Sequence, residues 1–143
     1  MKFDFKNIHI GQLIKIKVTE GSIETTRICN FLKCSESEIY QMYEAHSLDT
    51  ETLLRWSKLL SYDFFRVYTQ HLILFSPPSS IEKNESNNQK SELPQFRKNI
   101  YTKEVIDFIL ELIDTGSKTK LQVIDEYKIP KTTLYKWINK YKR

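Results

Sequence analysis

The sequence contains only two cysteines and three glycines in 143 residues, and both numbers exclude kinds of chemistry. Two cysteines are too few for a disulfide framework. With so few glycines, the chain has no glycine-rich loop that could hold a nucleotide phosphate, and no nucleophile motif is visible. It also lacks a run of about 18 apolar residues, which excludes a transmembrane helix. Because the N-terminus has no apolar signal-peptide core, we expect a cytoplasmic protein.

Acidic residues are missing from one end of the chain. The net charge is +4, but residues 1–76 contain nine lysines and arginines against nine acids, and residues 100–143 contain nine against six. From Lys128 to Arg143 there are six basic residues and no acid. A positive charge concentrated at one end is expected when one module binds phosphates. The alternative is a solvated helix that ends in a basic tail.

Two helical modules and a linker account for the whole chain. Residues 77–99 begin with two prolines and are rich in Ser, Asn and charge, without periodicity, so they predict a flexible linker. Residues 1–76 and 100–143 show helical periodicity. The sequence therefore predicts an all-α protein with a five-helix domain and a three-helix domain. Arg97 and Lys98, late in the linker, fit either an arm that touches DNA or two solvated charges.

Five helices are predicted in the first module, beginning near Asn7, Ile23, Ser35, Asp49 and Asp63. The first could also be a short strand, because its segment IKIKV alternates, and Gly21 is expected to end it. Ser35 has capping-box spacing with Glu38, and Asp49 is a good N-cap. The apolar residues of the fourth helix are Leu53, Leu54, Trp56, Leu59 and Leu60. In the first three helices, the residues that share one face or point inward are Ile10, Leu13, Ile14, Val18, Ile28, Phe31, Leu32, Ile39 and Met42.

The fifth helix has apolar side chains around most of its circumference. Such a helix needs cover on more than one side. In a domain this small a second copy of the chain could supply that cover, which predicts a homodimer formed through residues 62–75. The alternative is that this helix is the central core helix of its own domain. The apolar residues are Phe64, Phe65, Val67, Tyr68, Leu72, Ile73, Leu74 and Phe75.

The order of helices over residues 9–75 resembles that of phage-repressor-like helix-turn-helix domains, with Lys33, Cys34 and Ser35 as the turn. The resemblance implies that the helix opened by Ser35 is the recognition helix. That helix displays Glu36, Glu38 and Glu44 without a lysine or arginine, and DNA phosphates repel carboxylates. We therefore predict that this module keeps the fold and serves in dimerisation or partner binding.

The second module has the clearest helix signals in the chain. Thr102 can cap its first helix, and Gly116 can end it. Thr119 and Gln122 have capping-box spacing for the second helix. Lys128 and Ile129 predict a turn, after which Pro130 suits the first turn of the third helix. The residues predicted to face inward are Val105, Phe108, Ile109, Leu112, Ile113, Val123, Ile124, Tyr127, Leu134, Trp137, Ile138 and Tyr141.

The segment TKLQVIDEYKIPKTTLYKWINKYKR closely resembles the helix-turn-helix modules of insertion-sequence transposases and related resolvase-like and Fis-like domains. Lys128 stands where such turns often have Gly, and Ile124 where a small Ala is usual. The whole chain also resembles a group of small two-part bacterial proteins that are often labelled transposase. The matching residues are Thr119, Tyr127, Ile129, Thr133, Leu134, Tyr135, Lys136 and Trp137.

The last predicted helix offers lysines, hydroxyls and an amide opposite its apolar stripe, which suits the major groove of duplex DNA. We expect a non-catalytic DNA-binding protein, because no residues remain for a metal-binding transposase domain. It would act as a transcriptional regulator or beside a separate transposase catalytic subunit. The alternative is a protein-interaction adaptor with only non-specific DNA affinity. The expected DNA contacts are Lys131, Thr132, Thr133, Tyr135, Lys136, Lys140, Lys142 and Arg143.

No cofactor or metal site is predicted. Trp56 and Trp137 could stack on bases, but both lie on apolar helical stripes, which favours core packing. Cys29 and Cys34 could suggest a metal, but no pair of histidines has zinc-ligand spacing, and buried structural thiols are favoured.

Overall fold

The computed structural model describes residues 3–76, 92–94 and 100–141 of the chain. Within these residues the protein is all-α, as predicted, with eight helices and no strand. Apart from residues 92–94, the predicted linker lies outside the described residues, and so do Arg97 and Lys98. The helices are α1 (Ile10–Gly21), α2 (Thr25–Leu32), α3 (Glu36–Glu44), α4 (Thr50–Leu60), α5 (Phe65–Phe75), α6 (Lys103–Asp114), α7 (Lys120–Tyr127) and α8 (Lys131–Tyr141).

The chain divides into two compact units, and the division lies inside a helix. The N-terminal unit is Asp4–Tyr68. The C-terminal unit begins at Thr69 and also includes Phe3. Helix α5 therefore begins in one unit and ends in the other, whereas the sequence placed the boundary after residue 76.

Helix α1 resolves the choice between helix and strand at the start of the chain. A strand would place Ile14 and Ile16 on the same face, but Ile14 is fully buried and Ile16 is 41% exposed. The backbone N–H groups of Ile10 and Gly11 donate to the carbonyl oxygens of His46 and Ala45, both at 3.1 Å. These bonds satisfy donors that a helix N-terminus leaves free, and they join α1 to the chain that follows α3.

The N-caps predicted for α3 and α4 are confirmed. The Ser35 hydroxyl accepts from the Glu38 N–H at 3.3 Å, and the Glu38 carboxylate accepts from the Ser35 N–H at 2.7 Å. The Asp49 carboxylate accepts from the Thr52 N–H at 2.8 Å. Hydrogen bonds from Thr52 hold the pKa of Asp49 below its usual value, because they favour the ionised carboxylate.

The prediction that Phe31 faces the core is wrong, because its side chain is 43% exposed, and Leu54 of α4 is also exposed, at 45%. Each is adjacent in sequence to a buried leucine, Leu32 or Leu53. Successive residues on a helix point about 100° apart, so only one of two adjacent apolar residues reached the core. Periodicity alone could not decide which one.

The C-cap residues of α1, α2 and α4 are not glycines. Ser22, Lys33 and Ser61 have φ of 49°, 52° and 49°, the left-handed conformation that glycine usually supplies. For other residues this conformation costs roughly 1–2 kcal/mol, which the capping bonds of their N–H groups help to offset. The predicted stop at Gly21 was therefore one residue early, since Gly21 is the last residue of α1 and Ser22 is its cap.

Gln70 on α5 is the one buried polar side chain in the described part of the chain, at 2% exposure. Its amide nitrogen donates to the Ile100 carbonyl oxygen at 2.7 Å, and its carbonyl oxygen accepts from the Thr102 N–H at 3.1 Å. Gln70 thus fixes the chain that enters α6. Ile73 and Leu74, farther along α5, are also buried.

The homodimer through residues 62–75 stays a prediction. The burial of Ile73 and Leu74 within one chain narrows the surface that such a dimer could use. The large apolar side chains of this range that remain more than 40% exposed are Tyr62, Leu72 and Phe75.

We expect Gln70→Leu to destabilise the C-terminal unit. The substitution removes the hydrogen-bond partner of the Ile100 carbonyl and of the Thr102 N–H, at a cost of roughly 0.5–1.5 kcal/mol for each bond. Amide hydrogen exchange of α6 in the full chain would measure the loss. Gln41→Leu on the exposed face of α3 is the matched control. Equal protection of α6 in both variants would contradict a structural role for Gln70.

Candidate nucleic-acid interface

Helices α6, α7 and α8 enclose a core of their own, in which α6 contacts both other helices. The predicted stripe of α6 is confirmed at Val105 and Ile109, which are fully buried. Tyr101 packs edge-on against Trp137 of α8, with ring centroids 4.9 Å apart. Trp137 is 9% exposed, so it is a core residue, as its position in the stripe indicated. The buried residues are Val105, Ile106, Ile109, Val123, Tyr127, Ile129, Leu134 and Trp137.

A three-residue turn joins α7 to α8. Before it, Thr119 and Gln122 form the predicted capping box, with hydrogen bonds of 2.9 and 3.2 Å. In the turn, Lys128 takes the left-handed conformation at φ 54°, and Ile129 is 1% exposed and anchors the turn in the core. Pro130 directly precedes α8. The three helices and the short turn between the last two therefore follow the order that the sequence predicted.

The face of α8 opposite Leu134 and Trp137 is open to solvent. Of the predicted DNA contacts, the structure describes Lys131, Thr132, Thr133, Tyr135, Lys136 and Lys140. All are exposed except Thr133, which is half-buried. Asn139 is exposed with them, and α8 carries no carboxylate. Lys142 and Arg143 lie outside the described residues.

The lysines of the C-terminal unit fall into two electrostatic groups. Lys103 pairs with Asp107 at 3.0 Å, and Lys118 pairs with Glu126. The hydrogen bond to Glu126 raises the pKa of Lys118, because it favours the charged ammonium. Within the described residues, the lysines that make no ion pair include all three of α8 and Lys120 of α7. The uncompensated positive charge therefore lies on α8 and beside it.

Tyr135 brings two of these lysines together. The ammonium nitrogens of Lys120 and Lys131 lie 5.4 and 5.8 Å from the centroid of its ring. Lys120 is the first residue of α7, and Lys131 is the first residue of α8. The sequence did not assign Lys120 to the site. Its position directly after the N-cap Thr119, in a predicted helix-turn-helix, was the signal that could have found it.

The N-terminal unit presents the opposite charge on α3. Glu36, Glu38 and Glu44 are exposed, and this helix contains no lysine or arginine. Glu38 is engaged in the capping box with Ser35, and Glu36 accepts from the Tyr40 hydroxyl at 3.1 Å. The α3 surface therefore has the charge that phosphates repel.

The two cysteines are free thiols, half-buried against the core of the N-terminal unit. Burial raises the pKa of the Cys34 thiol, which disfavours its reactive thiolate form. Trp56, the second tryptophan weighed as a stacking platform, is fully buried, and its indole N–H donates to the Met42 sulfur at 3.2 Å. Neither tryptophan is placed to stack on a base.

No protein-family model, curated protein or solved structure matches the chain. None of the described helices is long and apolar enough to cross a membrane.

Proposed function

We propose that the protein binds duplex DNA through its C-terminal unit and that α8 lies in the major groove. The observation that carries this proposal is the surface of α8. It presents hydroxyls, an amide and lysines that pair with no described carboxylate on one face, while Leu134 and Trp137 hold the other face to the core. A helix of this composition can supply both phosphate contacts and base-edge hydrogen bonds.

The charge contrast between α3 and α8 supports the choice of unit. Phosphates attract the exposed lysines of α8 and repel the exposed carboxylates of α3. The N-terminal unit would then serve in self-association or partner binding. A dimer would hold two C-terminal units together and raise DNA affinity through effective concentration. The chain would act without catalysis, as a transcriptional regulator or beside a transposase catalytic subunit.

Removing two lysines of α8 should weaken the salt dependence of DNA binding. Each lysine that neutralises a phosphate contributes about 0.9 to the slope of log affinity against log salt. We expect the double variant Lys136→Gln, Lys140→Gln to lower this slope by about 1.8 if both contact phosphates. Fluorescence anisotropy of the full chain on a mixed-sequence duplex, at several salt concentrations, would measure it.

The matched control is Lys15→Gln, Lys58→Gln, which makes the same change in net charge within the N-terminal unit, where both lysines are exposed. We expect the control to keep the wild-type slope. If the wild-type chain did not bind duplex DNA at low salt, the proposal would be wrong. If the two double variants lost slope equally, only diffuse attraction would remain, and the adaptor function would then be favoured.

A further inference from the structure

We infer that Lys120, Lys131 and Tyr135 together form a binding site for the phosphodiester backbone of one DNA strand. This inference rests on the proposed function and assigns a phosphate-binding role to Lys120, a residue outside α8. According to this inference, the DNA backbone binds at the first residues of α7 and α8. The rest of the exposed face of α8 remains free to contact bases.

The first observation is that two like charges converge on one ring. Both ammonium groups lie within 5.8 Å of the Tyr135 centroid, one from each helix. Neither makes an ion pair with a described carboxylate. The face of an aromatic ring attracts cations, so Tyr135 can hold both lysine side chains beside its ring. Because no described carboxylate neutralises either ammonium, both charges are available to a phosphate.

The second observation concerns the groups that surround this pair. Tyr135 is 39% exposed, so its hydroxyl can reach a phosphate oxygen and donate to it. Lys120 and Lys131 are each the first residue of a helix, where the positive end of the helix dipole lies. Ammonium, phenol and helix N-terminus are all groups that proteins use to contact DNA phosphates.

The third observation concerns Lys118, a neighbouring lysine that the structure excludes from the phosphate site. Lys118 lies two residues before Lys120, but its ammonium donates to the Glu126 carboxylate. That pair is already neutral, so phosphate binding by Lys118 would require breaking it. The structure therefore distinguishes two lysines that the sequence presents as equivalent.

The test compares Lys120→Gln with Lys118→Gln in the full chain, by anisotropy on a mixed-sequence duplex across a salt series. We expect Lys120→Gln to lower the salt slope by about 0.9 and Lys118→Gln to leave it unchanged. Between roughly 50 and 200 mM salt, the wild type should then lose about 3.5-fold more affinity than Lys120→Gln loses. Lys120→Arg should keep the wild-type slope, because it keeps the charge.

Two substitutions of Tyr135 test its hydroxyl and its aromatic ring separately. Tyr135→Phe keeps the ring and removes the hydroxyl, so it should weaken binding and keep the slope. Tyr135→Leu also removes the face that holds the lysines, so it should weaken binding further. Circular dichroism would show that each variant is folded, since Tyr135 and Lys120 are exposed.

Each outcome separates this inference from the proposed function. If wild type and Lys120→Gln bind with the same slope while Lys136→Gln, Lys140→Gln lowers it, the phosphate site is wrong and DNA binding by α8 stands. Equal slope losses in Lys118→Gln and Lys120→Gln would also overturn the site, because the ion pair with Glu126 would then make no difference. A wild-type chain that does not bind DNA at low salt would overturn both.

Discussion

Gly11→Ala is expected to destabilise the N-terminal unit by about 3 kcal/mol or more. A Cβ atom at position 11 would lie 2.3 Å from the Met42 carbonyl oxygen, 2.5 Å from that of Tyr43 and 2.6 Å from that of Ala45. All three are backbone atoms, so no side-chain rotation can relieve the overlap. Moving α1 away would also break the hydrogen bond from the Gly11 N–H to Ala45.

Gly21→Ala is the matched control for this substitution. Its Cβ would meet only the Ile23 side chain, at 3.3 Å, and alanine is favoured over glycine inside a helix by up to about 1 kcal/mol. Urea denaturation of the full chain should therefore show a large loss for Gly11→Ala and little loss or a gain for Gly21→Ala. Equal midpoints for wild type and Gly11→Ala would show that α1 and the end of α3 do not approach so closely.

Leu134→Ala should produce the largest change in the C-terminal unit. Leu134 is fully buried on α8, and removing such a side chain costs roughly 2–5 kcal/mol because it loses burial and leaves a cavity. A unit with a core this small has little stability to lose. We therefore expect both unfolding of α6–α8 and loss of DNA binding, since the lysines of α8 would no longer share one face.

Amide hydrogen exchange would localise the effect of Leu134→Ala to its own unit. The control is Leu121→Ala, the same substitution on α7 at a side chain that is 71% exposed. It should change stability by no more than about 0.5 kcal/mol. If Leu134→Ala still bound DNA while α6–α8 were unfolded, the DNA contact would have to lie outside this unit.

Local signals explain why much of the fold could be predicted. The capping boxes of Ser35 with Glu38 and of Thr119 with Gln122 both formed, because each is completed by residues three apart in the same helix turn. The turn at Lys128 and Ile129 also formed between the predicted helices. These features need no information about distant parts of the chain.

Contacts between distant residues explain what could not be predicted. In the sequence, Gln70 is a polar residue within an apolar helix. Its side chain can be buried because it forms hydrogen bonds with Ile100 and Thr102, which lie 30 and 32 residues away in sequence. In the sequence, nothing distinguishes Gly11 from the other two glycines. A side chain is excluded at this position because the backbone at the end of α3 lies too close. Lys120 became part of the candidate site only when α7 and α8 packed together.

The sequence by itself determined that the described part of the chain is all-α, where most of its helices begin and end, and that positive charge without acids lies on the last helix. These properties follow from periodicity, caps and composition, which act within a few residues. Tertiary structure decided that α5 is shared between two units, that Lys118 is neutralised, and that Lys120 and Lys131 converge on Tyr135. Those outcomes depend on which helix faces meet, and helix faces meet only when the whole core packs.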